Sequence, residues 1–462
     1  MSRGKTIVLT EGSIPRALTK LAMPIIGTSF VQMAYGFIDM IWVGRIGSGA
    51  VAAVGTAGFF TWLANALIII PRIGAEVGVA QSIGRNDRQG TERAIRHSIQ
   101  LIVVLSLIYA AALITFRRPL LSFYRLGEVI EAQASSYLLI VSLGMVFFAT
   151  NPIFTAIFTG AGDSTTPFRI NTIGLVLNII LDPILIFGLG PVPRLGVTGA
   201  AIATIIAQVA VTFAFILEAI KRPELFGALK PSEKPDAWQL KRLVSMGLPM
   251  SLQSAFFTLI AMVIARIISN WGPLPIAVQN VGSQIETISW MTAGGFQSAM
   301  SAFVGQNYGA KKGQRIYRGY FMGLGIVSAI GVFASFLLIF GARPLFAIFI
   351  PEAEAIRLGV SYLRILGLSQ FFMCVEIFTA GAFIGLGKTG PPSGVGITFN
   401  LLRIPAALLL SATSLGLDGV WWAISISSIL KGLTLSTWYL RYMNTNHEML
   451  DLRNEVLTQE AI

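Results

Sequence analysis

Apolar residues in this chain neither alternate nor trace single stripes. They run on for twenty or more positions at a time and break only at short polar connections. Runs longer than about 18 residues are long enough to cross a bilayer as helices. The pattern predicts twelve such helices, over roughly 18–43, 53–82, 96–116, 132–160, 168–190, 197–220, 245–269, 276–308, 316–341, 355–384, 393–414 and 419–442. The strict alternation of a membrane β-barrel is missing. The expected fold class is an all-α polytopic membrane protein. The first apolar run is too long, and lacks the small-residue exit, for a cleavable signal peptide.

The connections sort by charge. Arg3, Lys5, Arg16, Lys20, Arg85, Arg88, Arg93, Arg96, Arg169, Lys311, Lys312, Arg315, Arg318, Lys388, Arg441 and Arg453 lie on one side. The stretch KRPELFGALKPSEKPDAWQLKR (221–242) adds six more cations to that side. The opposite side has Arg45, Arg117, Arg118, Arg125, Arg194, Arg343 and Arg357. Cytoplasmic loops hold the excess of Lys and Arg, so both termini are expected inside a multi-pass protein of the plasma or inner membrane. Segment 221–242 reads as a cytoplasmic linker between an N-terminal lobe, 1–220, and a C-terminal lobe, 243–442, with a cytoplasmic tail at 443–462.

Composition agrees. Of 462 residues, 54% are hydrophobic and 12% charged, with mean hydropathy +0.72; a soluble domain carries about 25% charged residues. The net charge of +12 belongs to the basic connections, and no nucleic-acid partner is expected. The single cysteine, Cys374, excludes an intramolecular disulfide. His97 and His447 lie far apart in polar segments, so neither a metal-ligand cluster nor a cofactor is expected. No nucleophile–base pair occurs at one depth, which speaks against an intramembrane enzyme.

The two halves repeat. Displaced by 225 residues, Pro24 falls on Pro249, Gly47 on Gly272, VAQSIG (79–84) on VGQNYG (304–309), and GAGDSTTP (160–167) on GLGKTGPP (385–392). The displacement then shrinks, so Asn178 and Pro183 meet Asn400 and Pro405, and LGVTGAAIA (195–203) meets LGLDGVWWA (415–423). Six helices per repeat give both halves the same sense in the membrane. Two six-helix lobes related by a pseudo-twofold axis, around a central cavity, are the expected architecture.

Duplication supplies an internal control. Asp39, in GFIDMIWVG (36–44), maps onto Ile264; Asp182, in NIILDP, onto Ile404; Thr204 onto Ile424. The scaffold accepts isoleucine at all three places, so it does not require the polar side chains. An isolated acid in an apolar span costs roughly 3 kcal/mol or more. At about 1.5 Å per residue, all three positions fall in the outer half of the membrane. Asn178, four residues before Asp182, shares its face. Two carboxylates, an amide and a hydroxyl can thus gather at one level, either to share a proton or to coordinate Na⁺. The structural alternative is a cap on the Pro183 kink for Asp182 and a hydrogen bond to a neighbour for Asp39.

On GFIDMIWVGRIG (36–47), GAGDSTTPFRINTIGLVLNIILDP (160–183), GVTGAAIAT (196–204) and IETISWMTAGGF…VGQNYGA (285–310), the chain resembles the MATE (multidrug and toxic compound extrusion) family, nearer its DinF-like branch. The resemblance covers nearly all 462 residues. It implies a twelve-helix antiporter that exports organic, often cationic, compounds against H⁺ or Na⁺. Its coupling site falls on Asp39, Asn178, Asp182 and Thr204. Other branches place coupling acids in helices 7 and 10. Helix 7 has none here, and helix 10 is read as having only Glu352 and Glu354, at its outer approach, which favours the N-lobe site and puts a C-lobe cation site in doubt.

Other intramembrane polar residues remain. Glu286 lies near the midplane of helix 8, as an anion for a cationic substrate or as a hydrogen-bonded strut. Gln253, Gln279, Asn280 and Gln284 can add polar contacts. Met33, Tyr35, Phe37, Trp42, Trp290 and Met291 can line an adaptable apolar pocket. Arg72 and Glu76, four apart on helix 2, are expected to pair as a structural or gating element. Arg266 can snorkel. Arg364 and Arg403 keep open a rival reading, a flippase for lipid-linked precursors, against which Asp39, Asp182 and Glu286 count. The expected partners are small organic substrates and the bilayer, with the protein a monomer.

Overall fold

The computed structural model describes residues 8–124, 126–190, 193–227, 233–447 and 449–452. Among them are fifteen α-helices, one 3-10 turn and no strand. The helices are α1 (Ile14–Gly44), α2 (Ser48–Gly84), α3 (Arg88–Ser122), α4 (Glu128–Leu143), α5 (Met145–Gly160), α6 (Thr165–Phe187), α7 (Val197–Ile220), α8 (Pro223–Phe226), α9 (Ala237–Ile268), α10 (Pro273–Gly309), α11 (Gly313–Phe340), α12 (Ala342–Ala347), α13 (Ala353–Gly385), α14 (Gly390–Ser411) and α15 (Leu417–Thr445). Nine of these have the length and apolarity of a membrane span, and the pair α4–α5 makes a tenth across a 51° bend. The remaining two long helices, α10 and α15, have 37 and 29 residues and are more polar. The protein is an all-helical membrane protein with twelve spans.

Several of the expected spans look different, the third among them, which runs over Arg88–Ser122. The fourth, expected whole over 132–160, is broken at Gly144, where a Cβ would run into the Ile205 side chain of α7. The seventh starts early. Helix α9 begins at Ala237, so the end of the expected linker 221–242 is already helical; residues 228–232 of that linker, and 453–462 of the expected tail, lie outside the described residues.

The chain divides into two compact units. One contains Met23–Leu248; the other contains Val8–Ala22 and Pro249–Ile462. The division therefore runs through α1 and α9, beside the repeat-related Pro24 and Pro249, and not through the linker. A proline inside a helix removes one N–H and weakens the ladder at that turn. Each unit also fastens an incoming stretch of chain. In the second unit, Arg315 donates to the carbonyls of Leu9, Glu11 and Gly12 at 3.1, 2.6 and 2.9 Å, and Asn307 donates to Leu9 at 3.1 Å. In the first unit, Gln100 donates to the Glu233 carbonyl at 2.9 Å, and the Asp236 N–H donates to His97 Nε2 at 3.0 Å.

Inside the first unit α2 packs on α3, α4 and α5, and α6 lies along α7. Inside the second, α13 packs on α10, α11 and α15, and α14 lies along α15. The repeat is visible atom by atom. A Cβ on Gly160 would lie 2.5 Å from the Glu76 carbonyl oxygen, and one on its mate Gly385 would lie 2.5 Å from that of Ser301, the mate of Glu76. Left-handed turns recur at Asn86 (φ 55°) and Lys311 (φ 59°). Large apolar side chains such as Phe59, Ile108, Phe213, Phe333 and Leu409 are exposed on the outside of the units, as lipid-facing positions require.

Candidate functional site

In the first unit, the part of α1 beyond Pro24 carries Tyr35 and Asp39 one turn apart. Helix α6 carries Asn178 and Asp182 with the same spacing, and α7 brings Thr204. These side chains converge. Thr204 Oγ1 lies 3.4 Å from Asp39 Oδ2 and donates to the Ala200 carbonyl at 3.0 Å. Asn178 Nδ2 donates to Asp182 Oδ1 at 3.2 Å. Asp182 and Asn178 both lie beside the Asp39 carboxylate. Asn178 and Asp182 are fully buried and Asp39 is half-buried.

The cluster is left incomplete by the protein. Asp39 Oδ1, Asp182 Oδ2, Asn178 Oδ1 and the Tyr35 hydroxyl are buried without hydrogen-bond partners. Among the described residues no Lys or Arg pairs with either carboxylate. Two adjacent carboxylates in a low-dielectric site disfavour being charged together. A proton or a small hard cation removes that conflict, and carboxylate, amide and hydroxyl oxygens are the donors such cations accept. The second unit shows the same place without this chemistry. Ile264, Ile404 and Ile424 all belong to one hydrophobic cluster there, Ile264 buried within it and the other two packed against it.

The second unit has its own polar centre. Glu286 Oε2 accepts from Gln370 Nε2 at 3.0 Å, and Tyr362 lies beside the same carboxylate. Lys431 Nζ lies 3.0 Å from Glu376 Oε2 with both side chains about nine-tenths buried. Arg403 Nε and Nη2 donate to the hydroxyls of Ser427 and Ser428 at 2.5 and 3.1 Å.

Residues 24–184 and 249–409 each match the MatE family, one match per repeat. The chain belongs to the MatE family. A probable multidrug resistance protein NorM from Thermotoga maritima is 28% identical over 415 residues, 88% of each chain. An FAD transporter from Shewanella oneidensis is 26% identical over 440 residues, 92% of this chain and 94% of that one. Among solved structures, an outward-facing multidrug resistance MATE family transporter aligns with TM-score 0.86 and 23% identity over 96% of this chain and 99% of that one. A transporter of the MOP superfamily from Pyrococcus furiosus aligns with TM-score 0.84 and 24% identity over 98% of this chain and all of that one.

In this MatE chain the residues marked from sequence separate into groups. Asp39, Asn178, Asp182 and Thr204 come together as described. Tyr35, expected among the pocket residues, stands beside Asp39 and Asp182. Met33 is half-buried and Phe37 half-exposed in the same unit. In the second unit Gln253 lies against Gly396, Gln284 is exposed, and Trp290 is 57% exposed one turn after Glu286. On α2, Arg72 is exposed and Glu76, one turn later, is buried. Arg266 donates to Ser269 Oγ at 2.8 Å and Arg364 to the Ile339 carbonyl at 3.3 Å, both on the surface.

Sequence reasoning misses four residues. Glu352 and Glu354 are exposed at the start of α13, and the intramembrane acid of that helix is Glu376. Its partner Lys431 is an equally plain signal, a cation inside an apolar span. Tyr137, buried beside Asp39 and Asp182, and its repeat mate Tyr362, beside Glu286, are readable only as a tyrosine kept in both halves.

Proposed function

We propose that this chain is a secondary active antiporter that exports organic, cationic and amphipathic compounds in exchange for H⁺ or Na⁺ by alternating access. Asp39, Asn178, Asp182 and Thr204 hold the coupling cation, and Glu286 attracts the cationic group of the substrate. Gln253, Gln284 and Trp290, in the same unit as Glu286, supply contacts to its body. The protein works as a monomer in the cell membrane with both termini in the cytoplasm. No nucleic acid or cofactor takes part. The observation that carries the reading is the pair of neighbouring carboxylates, each with one buried oxygen unpartnered, at positions where the second repeat packs isoleucines. Charge that the fold does not need is retained for a cation that comes and goes.

Mechanistically, cation uptake at Asp39 and Asp182 lets the α1 segment beyond Pro24 pack closely on α6 and α7. Release restores a repulsion that drives those segments apart, so the two packings differ in their affinity for the cation. That differential affinity is what couples a gradient to a conformational change. Proteoliposomes under separately imposed pH and Na⁺ gradients test it. Wild-type protein moves a fluorescent organic cation against one of the two gradients, and Asp39→Asn does not. Full gradient-driven transport in Asp39→Asn removes the coupling assignment.

A further inference from the structure

Arg403 is buried, with 8% of its surface exposed. It lies within electrostatic reach of Glu376 and Glu286, but among the described residues it pairs with neither. Glu376 is engaged by Lys431, and Glu286 by Gln370. The guanidinium instead meets the hydroxyls of Ser427 and Ser428, and its carbon stands 6.0 Å from the centre of the Phe257 ring, which is 49% exposed. A guanidinium offers five N–H donors in a planar fork that fits a carboxylate, and the hydroxyl contacts leave that fork without a carboxylate partner among the described residues. Arg403 and Ser427 fall opposite Leu181 and Ala207 in the first repeat, so the scaffold does not require them. Asn400, one turn before Arg403, keeps its Oδ1 buried and unpartnered, and Glu286 keeps Oε1 in the same condition.

We propose that Arg403, fixed by Ser427 and Ser428, is the receptor for the carboxylate of a zwitterionic aromatic amphiphile whose ammonium group is held at Glu286 and whose ring lies on Phe257. This rests on the antiporter reading only in making the ligand a transported one; the binding site itself stands on geometry. It narrows the substrate class. A compound carrying both charges satisfies Arg403 and Glu286 at once, whereas a simple organic cation satisfies Glu286 alone.

Nε-dansyl-lysine and dansylcadaverine test this, because they share the dansyl ring and an ammonium group and differ by one carboxylate. Binding is read by dansyl fluorescence with the purified full-length protein in detergent, where no gradient exists, so loss of coupled transport and loss of this site are separate results. Arg403→Gln weakens Nε-dansyl-lysine about tenfold, the effect of one charge-assisted contact, and changes dansylcadaverine less than about twofold. Glu286→Gln weakens both. If Arg403→Gln has no cooperative melting transition, the pair Ser427→Ala with Ser428→Ala, which frees the guanidinium without removing it, shows the same selective loss. The proposal is overturned if wild-type protein fails to bind Nε-dansyl-lysine, or if the Arg403 or serine variants weaken the two probes equally or not at all.

Discussion

Asp182 exposes none of its surface, yet one carboxylate oxygen has no partner, and Ile404 fills the corresponding place in the other repeat. Burying an unpaired charge costs several kcal/mol, while burying an isoleucine side chain gains roughly 2 kcal/mol. Joint replacement Asp39→Ile with Asp182→Ile is therefore expected to raise the melting temperature in detergent while abolishing ion-coupled transport. A variant that unfolds would mean the acids hold the unit together. Glu376 and Lys431 behave oppositely. Removing one, as in Lys431→Met, leaves a buried charge alone and is expected to cost about 3–5 kcal/mol, and adding Glu376→Leu recovers most of it, read as a double-mutant cycle in thermal unfolding. Both pairs break an apolar run, so all four residues are visible as residues out of place. What sequence does not show is who meets whom. Asp39 with Asp182 can be inferred from matched depth, whereas Glu376 with Lys431, and Gln370 and Tyr362 with Glu286, depend on helix rotation that spacing does not supply.

Helices are the most legible level, because a span must satisfy its own backbone and so announces itself as a long apolar run. Their junctions are less so. Gly144 breaks the fourth span through its packing against Ile205, and a glycine inside a membrane helix looks the same whether or not the helix bends there. Close helix approach, in contrast, is written in the repeated glycines. Gly160→Ala and Gly385→Ala each set a methyl 2.5 Å from a carbonyl oxygen of the neighbouring helix, and rigid backbone cannot yield as a side chain would. Each is expected to cost about 1–3 kcal/mol, and by similar amounts because the contacts match. Gly325→Ala in α11, where a Cβ would meet nothing within 4 Å, is the control and is expected to be neutral or stabilising by up to about 1 kcal/mol. Unequal losses at Gly160 and Gly385 would mean that one repeat has room to relax and the other has not.

At the level of the whole chain, one six-helix repeat has been used twice, with different chemistry installed in each copy. The first copy gathers Asp39 and Asp182 with no basic partner among the described residues; the second holds two acids, Glu286 and Glu376, and two bases, Arg403 and Lys431. The division of the chain at Pro24 and Pro249 leaves Asp39 in the unit that also contains Asp182, so the four residues of the proposed cation site belong to one unit. Its occupancy must then change the stability of that unit directly. A cation that binds the folded state and not the unfolded one stabilises by RT ln(1 + [cation]/Kd), about 2.7 kcal/mol at a concentration a hundredfold above Kd. Two titrations follow in detergent, Na⁺ at constant pH and H⁺ without Na⁺. The coupling ion is the one that raises the melting temperature of wild-type protein, and Asp39→Asn with Asp182→Asn together flatten that response. Because the second unit lacks these acids, Ile264→Asn and Ile404→Asn leave the slope of the response intact even where they lower the melting temperature itself. A response that survives the loss of both aspartates would move the cation site elsewhere, and Glu376 would be the first residue to replace.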